Sequence, residues 1–453
     1  MSATLQCVGM YQNHIAKPQR PYDSMNAMLC YCGLNCCDCA WRQRALMESS
    51  GRADSIVGET SARARATSAS GAWSFLEGVF YVLLVCIGIG FVMDAGVCHS
   101  QMLRDGHRPD ATNGKRVYNN GCNACHGSDG RGASPKLTQF TRPDTFPDFT
   151  LCDQTTPEPN SAWKAVIVHG GPSRAISQIM PAFGDLLSSA EIDDVVAYLR
   201  GFCNNKHWPR GELNLPRALV TEKAFPEDEL VVSTTMNASG APGFITDFIH
   251  EQRFGVRNQI EVDVPLNVQD QNHAWQSGVG DITFGLKREM FSSLRTGSIL
   301  SLQAGVLAPT GDSTRGFGSG STTFEPFLAF DQLFPTNMWV QFQMGADLPR
   351  HTDVAPQSLF WRTAVGQSFA SDHLLGRLWS PMVEFLADRD LQDGAKTNWD
   401  VLPEMQVTIS RRQHIRADIG VRAPFTNTSG RTPQVTFYVL WDWADGKLWE
   451  GWR

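Results

Sequence analysis

From about residue 258 onward, apolar and polar residues alternate with the two-residue period of a β-strand. Ile415, Ala417, Ile419, Val421, Ala423 and Phe425 interleave with Arg416, Asp418, Gly420 and Arg422. Trp399, Val401, Pro403, Met405, Val407 and Ile409 interleave with Asp400, Glu404, Gln406 and Thr408. Val435, Phe437, Val439, Trp441 and Trp443 share one face of a last strand, with Thr436 and Asp442 on the other. Roughly twelve such segments succeed one another, each about ten residues long, the length of a tilted membrane-crossing strand. Long polar connections near 267–277, 308–321, 348–357, 389–397 and 425–433 alternate with short ones near 252–256, 290–296, 333–337, 370–377 and 410–413. Short turns on one rim and long loops on the other are the habit of outer-membrane barrels. A soluble sandwich would point the apolar face inward instead. Strand length and the heavily charged polar face favour the membrane barrel. Residues 230–453 are therefore expected to form an antiparallel β-barrel, with an even strand number placing both its ends on the short-turn, periplasmic rim. Glu404, Arg416, Asp418 and Arg422 then point inward, where a salt-bridge network that plugs a narrow lumen is favoured over selection of a solute.

The pattern upstream is different. Residues 108–203 read as helical and loop-rich. Residues 204–229 carry three prolines and many charges and read as a linker. An apolar run from Phe75 to Met93, broken only by Glu77, suits a signal core or a single membrane helix. Residues 75–97 are therefore assigned as a signal or anchor, and the chain beyond residue 97 as exported. Val97 stands where a small residue is wanted before a lipidated Cys98. Residues 1–74 lack apolar periodicity and read as a disordered leader. Their cluster Cys30, Cys32, Cys36, Cys37 and Cys39 has neither paired zinc spacing nor a neighbouring histidine.

Composition sharpens this division. All twelve cysteines lie within the first 203 residues. A net charge of −7 gives no reason to expect nucleic-acid binding. Cys122, Cys125 and His126, in GCNACHG, form the C-x-x-C-H pattern of covalent haem attachment. Two thiols one helical turn apart reach the two vinyl groups of one porphyrin, and the adjacent imidazole meets the iron. A zinc site would need a second ligand pair, and none is nearby. Met180, in a loop before Pro181, is the candidate second axial ligand. It precedes a capping box, Ser188 with Glu191, and a helical stripe of Ile192, Val195, Val196 and Leu199. His169 competes for the same role, but it stands at a predicted helix end. A thioether ligand raises the potential, which suits an electron carrier. In an exported domain, Cys152 and Cys203 are expected to form a disulfide rather than remain free thiols.

On these motifs residues 108–203 resemble a class I cytochrome c. Gly114 and Tyr118 match the family's N-terminal helix, Tyr198 its C-terminal helix, and HGSDGRG its glycine-rich loop. The resemblance implies that Pro135 offers its carbonyl to the second nitrogen of His126. GVGDI at 278–282 and LAPTG at 307–311 resemble outer-membrane channels associated with phenol-degradation operons. The chain is also similar in plan to fused porin–cytochromes of iron-oxidising bacteria.

A mono-haem c-type cytochrome with His126 and Met180 on the iron leaves no position for a substrate. Electron transfer with periplasmic redox proteins is expected, without further chemistry. The barrel would tether this carrier to the outer membrane, with the haem domain on the periplasmic side. A conduit passing electrons across that membrane, for instance from extracellular ferrous iron, is the second reading. An inner-membrane-anchored cytochrome with a soluble β domain is the third.

Overall fold

The computed structural model describes residues 108–450 apart from 137, 139, 144, 145, 206, 241, 272, 370–377, 444 and 445. The leader at 1–74 and the apolar run at 75–97 lie outside the described residues.

The first domain is helical, with α1 (Ala111–Gly121), α2 (Asn123–His126), α3 (Cys152–Thr155), α4 (Asn160–His169) and α5 (Ser189–Arg200). Asp110 caps α1 by accepting from the Thr112 N–H at 2.8 Å. The expected capping box opens α5: Ser188 accepts from the Glu191 N–H at 3.3 Å, and the Glu191 carboxylate accepts from the Ser188 N–H at 3.1 Å. The stripe Ile192, Val195, Val196 and Leu199 buries against Val117 and Tyr118 of α1. Gly114 permits this crossing, because a Cβ there would stand 1.9 Å from the carbonyl oxygen of Asp194. Asp194 also accepts from the Asp110 N–H at 2.6 Å and the Asn113 amide at 2.7 Å, locking the two helices in register. Cys152 and Cys203 form the disulfide.

The second domain is a closed antiparallel barrel. Its strands are β1 (Glu229–Asn237), β2 (Gly243–Phe254), β3 (Asn258–Gln271), β4 (Ala274–Val279), β5 (Ile282–Ser293), β6 (Ser298–Ala308), β7 (Thr323–Leu333), β8 (Met338–Pro349), β9 (Ser358–Gln367), β10 (Trp379–Asp390), β11 (Asn398–Thr408), β12 (Ile415–Pro424) and β13 (Gln434–Asp442). Strands adjacent in sequence pair with one another except β4 and β5, which both pair with β3, and β1 pairs with β13. The segments β4 and β5 share one position in the ring, which makes it twelve-stranded. The connection expected near 267–277 is instead largely paired strand, with Gln271 opposite Ala274. Polarity alone marked it as a loop, but cross-strand backbone bonds satisfy polar residues as well as apolar ones. Glu229 stands opposite Asp442, so both barrel ends lie on one rim, together with the short turns.

The alternation has the sense of a membrane barrel. Glu404 and Glu384 are fully buried, while Phe284 on the outside is 52% exposed. Phe248, Leu286, Leu302, Phe324, Phe385, Ile419 and Val439 join Phe284 in an exposed apolar belt. Inside stand Glu251, Gln259, Lys287, Asp331, Gln341, Gln343, Gln406 and Asp418, all buried. Apolar outside and charged inside is the arrangement of an outer-membrane barrel.

The segment read as a linker joins the domains, but its second half is not a solvent-exposed spacer. Leu213, Leu215, Arg217, Thr221, Lys223, Ala224, Phe225 and Glu227 are all buried. They lie within the lumen, where inward side chains take up the segment's backbone groups. Glu404 accepts from the Leu219 N–H at 3.1 Å, Glu384 from Val220 at 2.9 Å and Thr221 at 2.6 Å, Gln343 from Glu222 at 3.2 Å, and Asp331 from Ala224 at 2.8 Å. In the other sense, Gln341 donates to the Pro216 carbonyl at 2.9 Å, and Gln406 and the Tyr438 hydroxyl donate to the Arg217 carbonyl at 2.9 and 2.6 Å. Arg217 lies 2.9 Å from Glu229 and 2.8 Å from Glu251, Lys223 pairs with Glu227, and Lys287 lies 3.4 Å from Glu222. Prolines at 216 and 226, taken as linker signals, remove N–H donors that burial would otherwise oblige the lumen to satisfy. Glu384→Ala is expected to destabilise the barrel by about 3 kcal/mol, since it strands two buried N–H groups. Denaturant titration of heat-modifiable gel mobility measures this, with the outward Phe385→Ala as a near-neutral comparison in detergent.

Candidate functional site

The attachment motif occupies a single helical turn. The N–H groups of Cys125 and His126 both donate to the Cys122 carbonyl, at 3.1 and 2.9 Å, as the chain passes from α1 into α2. Gly127 then takes a positive φ of 72°, which ends the turn, and its carbonyl accepts from the buried Tyr118 hydroxyl at 2.6 Å. Gly132 and Ala133 return their N–H groups to the carbonyls of His126 and Cys125, both at 2.8 Å. The glycine-rich loop is therefore folded back onto the motif it follows.

Cys122, Cys125, His126 and Met180 line one cavity of about 1150 Å³. Its walls include Tyr118, Phe146, Phe149, Trp163, Ile167, Phe183, Val195 and Leu199. The loop carrying Met180 is stapled to the end of α4: Gly171 donates to the Met180 carbonyl at 3.0 Å, Phe183 to Ile167 at 2.8 Å and Gly184 to Val168 at 3.1 Å. His169 is the last residue of α4 and is not among the lining residues. The structure thus brings Met180, and not its competitor, to the cavity of the motif.

Burial sets the electrostatics here. It pushes the His126 pKa down to about 4, which keeps the imidazole neutral and able to ligate a metal. Burial, aided by the charge of Cys125, pushes the Cys122 thiol up to about 11. His126 stacks on Phe146 with ring centroids 5.0 Å apart and lies 5.2 Å from Phe149.

Pro135 does not take the position that the resemblance implied. It is exposed and lies outside the cavity, and Nδ1 of His126 is buried without a hydrogen-bond partner. The backbone of residues 132–133 is bound to that of residues 125–126, and Arg142 occupies the Ala133 carbonyl. The chain then turns to solvent at Ser134–Lys136.

The cavity is completed by residues that the motif reading did not include. Trp208, Asp228, Arg253, Arg412, Trp441 and Trp443 line it from the linker and the barrel rim. The domains touch there: Arg253 donates to the Asp153 carbonyl at 3.0 Å, Arg411 to Pro172 at 2.8 Å, and Arg412 to Ala175 at 3.1 and 3.3 Å. Gly211 donates to the Thr156 carbonyl at 2.7 Å, which ties the start of the lumen segment to the helical domain. Trp441 and Trp443 read in sequence only as the apolar face of a last strand, and their position at the rim supplied no signal of a site.

Two thiols on one turn, a neutral buried imidazole with an orphaned nitrogen, a thioether and aromatic walls suit a large flat porphyrin. Residues 109–199 match the family model described as cytochrome c oxidase, cbb3-type, subunit III. This part of the chain is a c-type cytochrome. A domain of this kind binds haem c and transfers electrons.

Among solved structures, an outer membrane channel from Pseudomonas putida F1 is 12% identical, with a TM-score of 0.36 over 50% of this chain and 99% of that one. LpxR from Salmonella typhimurium is 9% identical, with a TM-score of 0.33 over 47% of this chain and 99% of that one. A KdgM porin in complex with disordered oligogalacturonate is 9% identical, with a TM-score of 0.31 over 47% and 98% of the two chains. No curated protein matches the chain. The barrel is assigned to the outer membrane on its own apolar belt and charged interior, which replaces the reading of a soluble β domain.

The close α1–α5 crossing makes Gly114→Val an informative variant. It is expected to cost the cytochrome domain at least about 3 kcal/mol, because neither helix can yield to the new side chain without losing core contacts. Thermal loss of the haem-region circular dichroism would measure it.

Proposed function

We propose that the protein is a mono-haem electron carrier, held in the outer membrane by a plugged barrel, with its haem domain on the periplasmic side. One observation carries this reading: Cys122, Cys125, His126 and Met180 meet in one cavity at the short-turn rim of the barrel. Covalent haem supplies a reversible one-electron change of its iron. His126 and Met180 would hold that iron, and a thioether ligand would favour its reduced state. Aromatic side chains line much of the site, and the disulfide ties together the segments at Cys152 and Cys203.

Orientation comes from barrel habit. Short turns face the periplasm in outer-membrane barrels, and the haem domain touches that rim through Arg253, Arg411 and Arg412. Single electrons are then exchanged with periplasmic redox proteins. A tether is favoured over a trans-membrane conduit because the lumen is filled by residues 213–227. A single haem at one rim does not bridge an apolar band of about 25 Å.

Spectroscopy tests the ligands. The reduced wild type is expected to give a haem c spectrum, and its oxidised form the methionine–iron charge-transfer band. Met180→Ala should lose that band and His169→Ala should keep it, whereas persistence of the band in Met180→Ala overturns the assignment. Liposomes test the tether. Protein reconstituted with a trapped acceptor should show negligible ion conductance and no reduction of the acceptor by external ferrous iron, and rapid reduction would establish the conduit instead.

A further inference from the structure

The haem reading leaves one side of the cavity unexplained. Its floor belongs to the barrel and not to the cytochrome. Arg253, near the end of β2, lines that floor with a side chain only 8% exposed. Two of its nitrogens are engaged, Nε donating to Asp228 at 2.6 Å and Nη2 to the Asp153 carbonyl at 3.0 Å, and the guanidinium carbon lies 5.7 Å from the Trp208 ring centroid. Nη1 is buried with no hydrogen-bond partner.

A guanidinium buried with an unmet donor is costly unless an acceptor arrives. Arg253 lines the cavity, so a group bound there is the acceptor nearest to hand. A haem is apolar except for its iron and its two propionate carboxylates. An Arg–carboxylate contact is the strong, charge-assisted kind.

We propose that Arg253 binds a propionate of the haem, so that the barrel rim forms part of the haem site and does not merely carry it. Asp228 acts as a positioning residue. It accepts from both the Arg253 N–H, at 2.8 Å, and its Nε, which fixes the direction of the fork and leaves Nη1 for the ligand. Arg174 lines the same cavity from the helical domain, on the other side of the domain boundary. Clamping the macrocycle between the domains makes its potential depend on a residue of a membrane strand. The inference rests on the haem reading above.

The test uses the full-length, haem-loaded protein in detergent. Arg253→Gln removes a positive charge that favours ferrous over ferric iron, and it leaves the propionate uncompensated. The midpoint potential should fall by about tenfold in the redox equilibrium, about 59 mV for one electron. The propionate bending mode in the resonance Raman spectrum should shift as well. Arg253→Lys, which keeps the charge, should recover most of the potential. Arg411→Gln breaks another rim-to-cytochrome hydrogen bond at a residue that does not line the cavity, and it should change neither readout. If Arg253→Gln leaves both readouts unchanged, or if Arg411→Gln reproduces its effects, the contact is only a docking contact and the proposal falls. A colourless wild type overturns the haem reading together with this one, whereas a haem-loaded wild type beside an unaffected Arg253→Gln overturns this one alone.

Discussion

A backbone that enters a barrel without joining its sheet must find a partner for every buried N–H and C=O group. In this protein residues 213–227 meet that constraint with side chains rather than strands. Glu384, Glu404, Asp331, Gln343 and Gln341 accept from or donate to the segment's main chain from many separate strands. Their presence explains why strands of a membrane protein carry so many carboxylates and amides on their inward face. The buried cations Arg217, Lys223 and Lys287 offset part of the resulting negative charge. Much of the lumen is therefore occupied by a polar packing of segment against strands.

The same segment governs how the two domains meet. Gly211 is bonded to the Thr156 carbonyl at one end, and a Cβ there would stand 1.6 Å from the Pro157 carbonyl oxygen. At the other end Glu227 donates its N–H to Gln259 at 2.7 Å before β1 begins. A chain held at both ends and along its length cannot act as a flexible leash. The cytochrome is consequently set against the rim, where Arg253, Arg411 and Arg412 reach its carbonyls. This docking turns a haem pocket open at one edge into a cavity walled by two domains. It also separates the protein from a free cytochrome, whose haem edge meets solvent or a transient partner.

The residues that meet at the cavity were largely legible because their spacing is local. Cys122, Cys125 and His126 need only one helical turn, and the spacing encodes that turn. Met180 was legible through its context, a loop ahead of a capped helix, and the staples from α4 supply the geometry that context implied. Pro135 departs from its expected place because the resemblance carries over a position and not a conformation. The backbone of residues 132–133 is committed to residues 125–126, so the proline emerges into solvent. The linker departs from expectation for a related reason. Prolines and charges mark exposed segments when water is the expected surrounding, yet a polar lumen rewards the same composition.

Sequence alone thus determined most of what depends on periodicity or short spacing. The two-residue alternation, the alternating turn lengths and the even strand number depend on one strand and its neighbour. The capping box and the attachment motif depend on a few consecutive residues. Tertiary structure decided what depends on closure. Only a closed ring defines an inside, so only it could direct residues 213–227 into the lumen and set Glu384 and Glu404 against their N–H groups. Only the docked rim could bring Arg253 and Trp443 into one cavity with His126, more than a hundred residues away. Contacts of that kind leave no local pattern, because each partner satisfies its own strand perfectly well without the other.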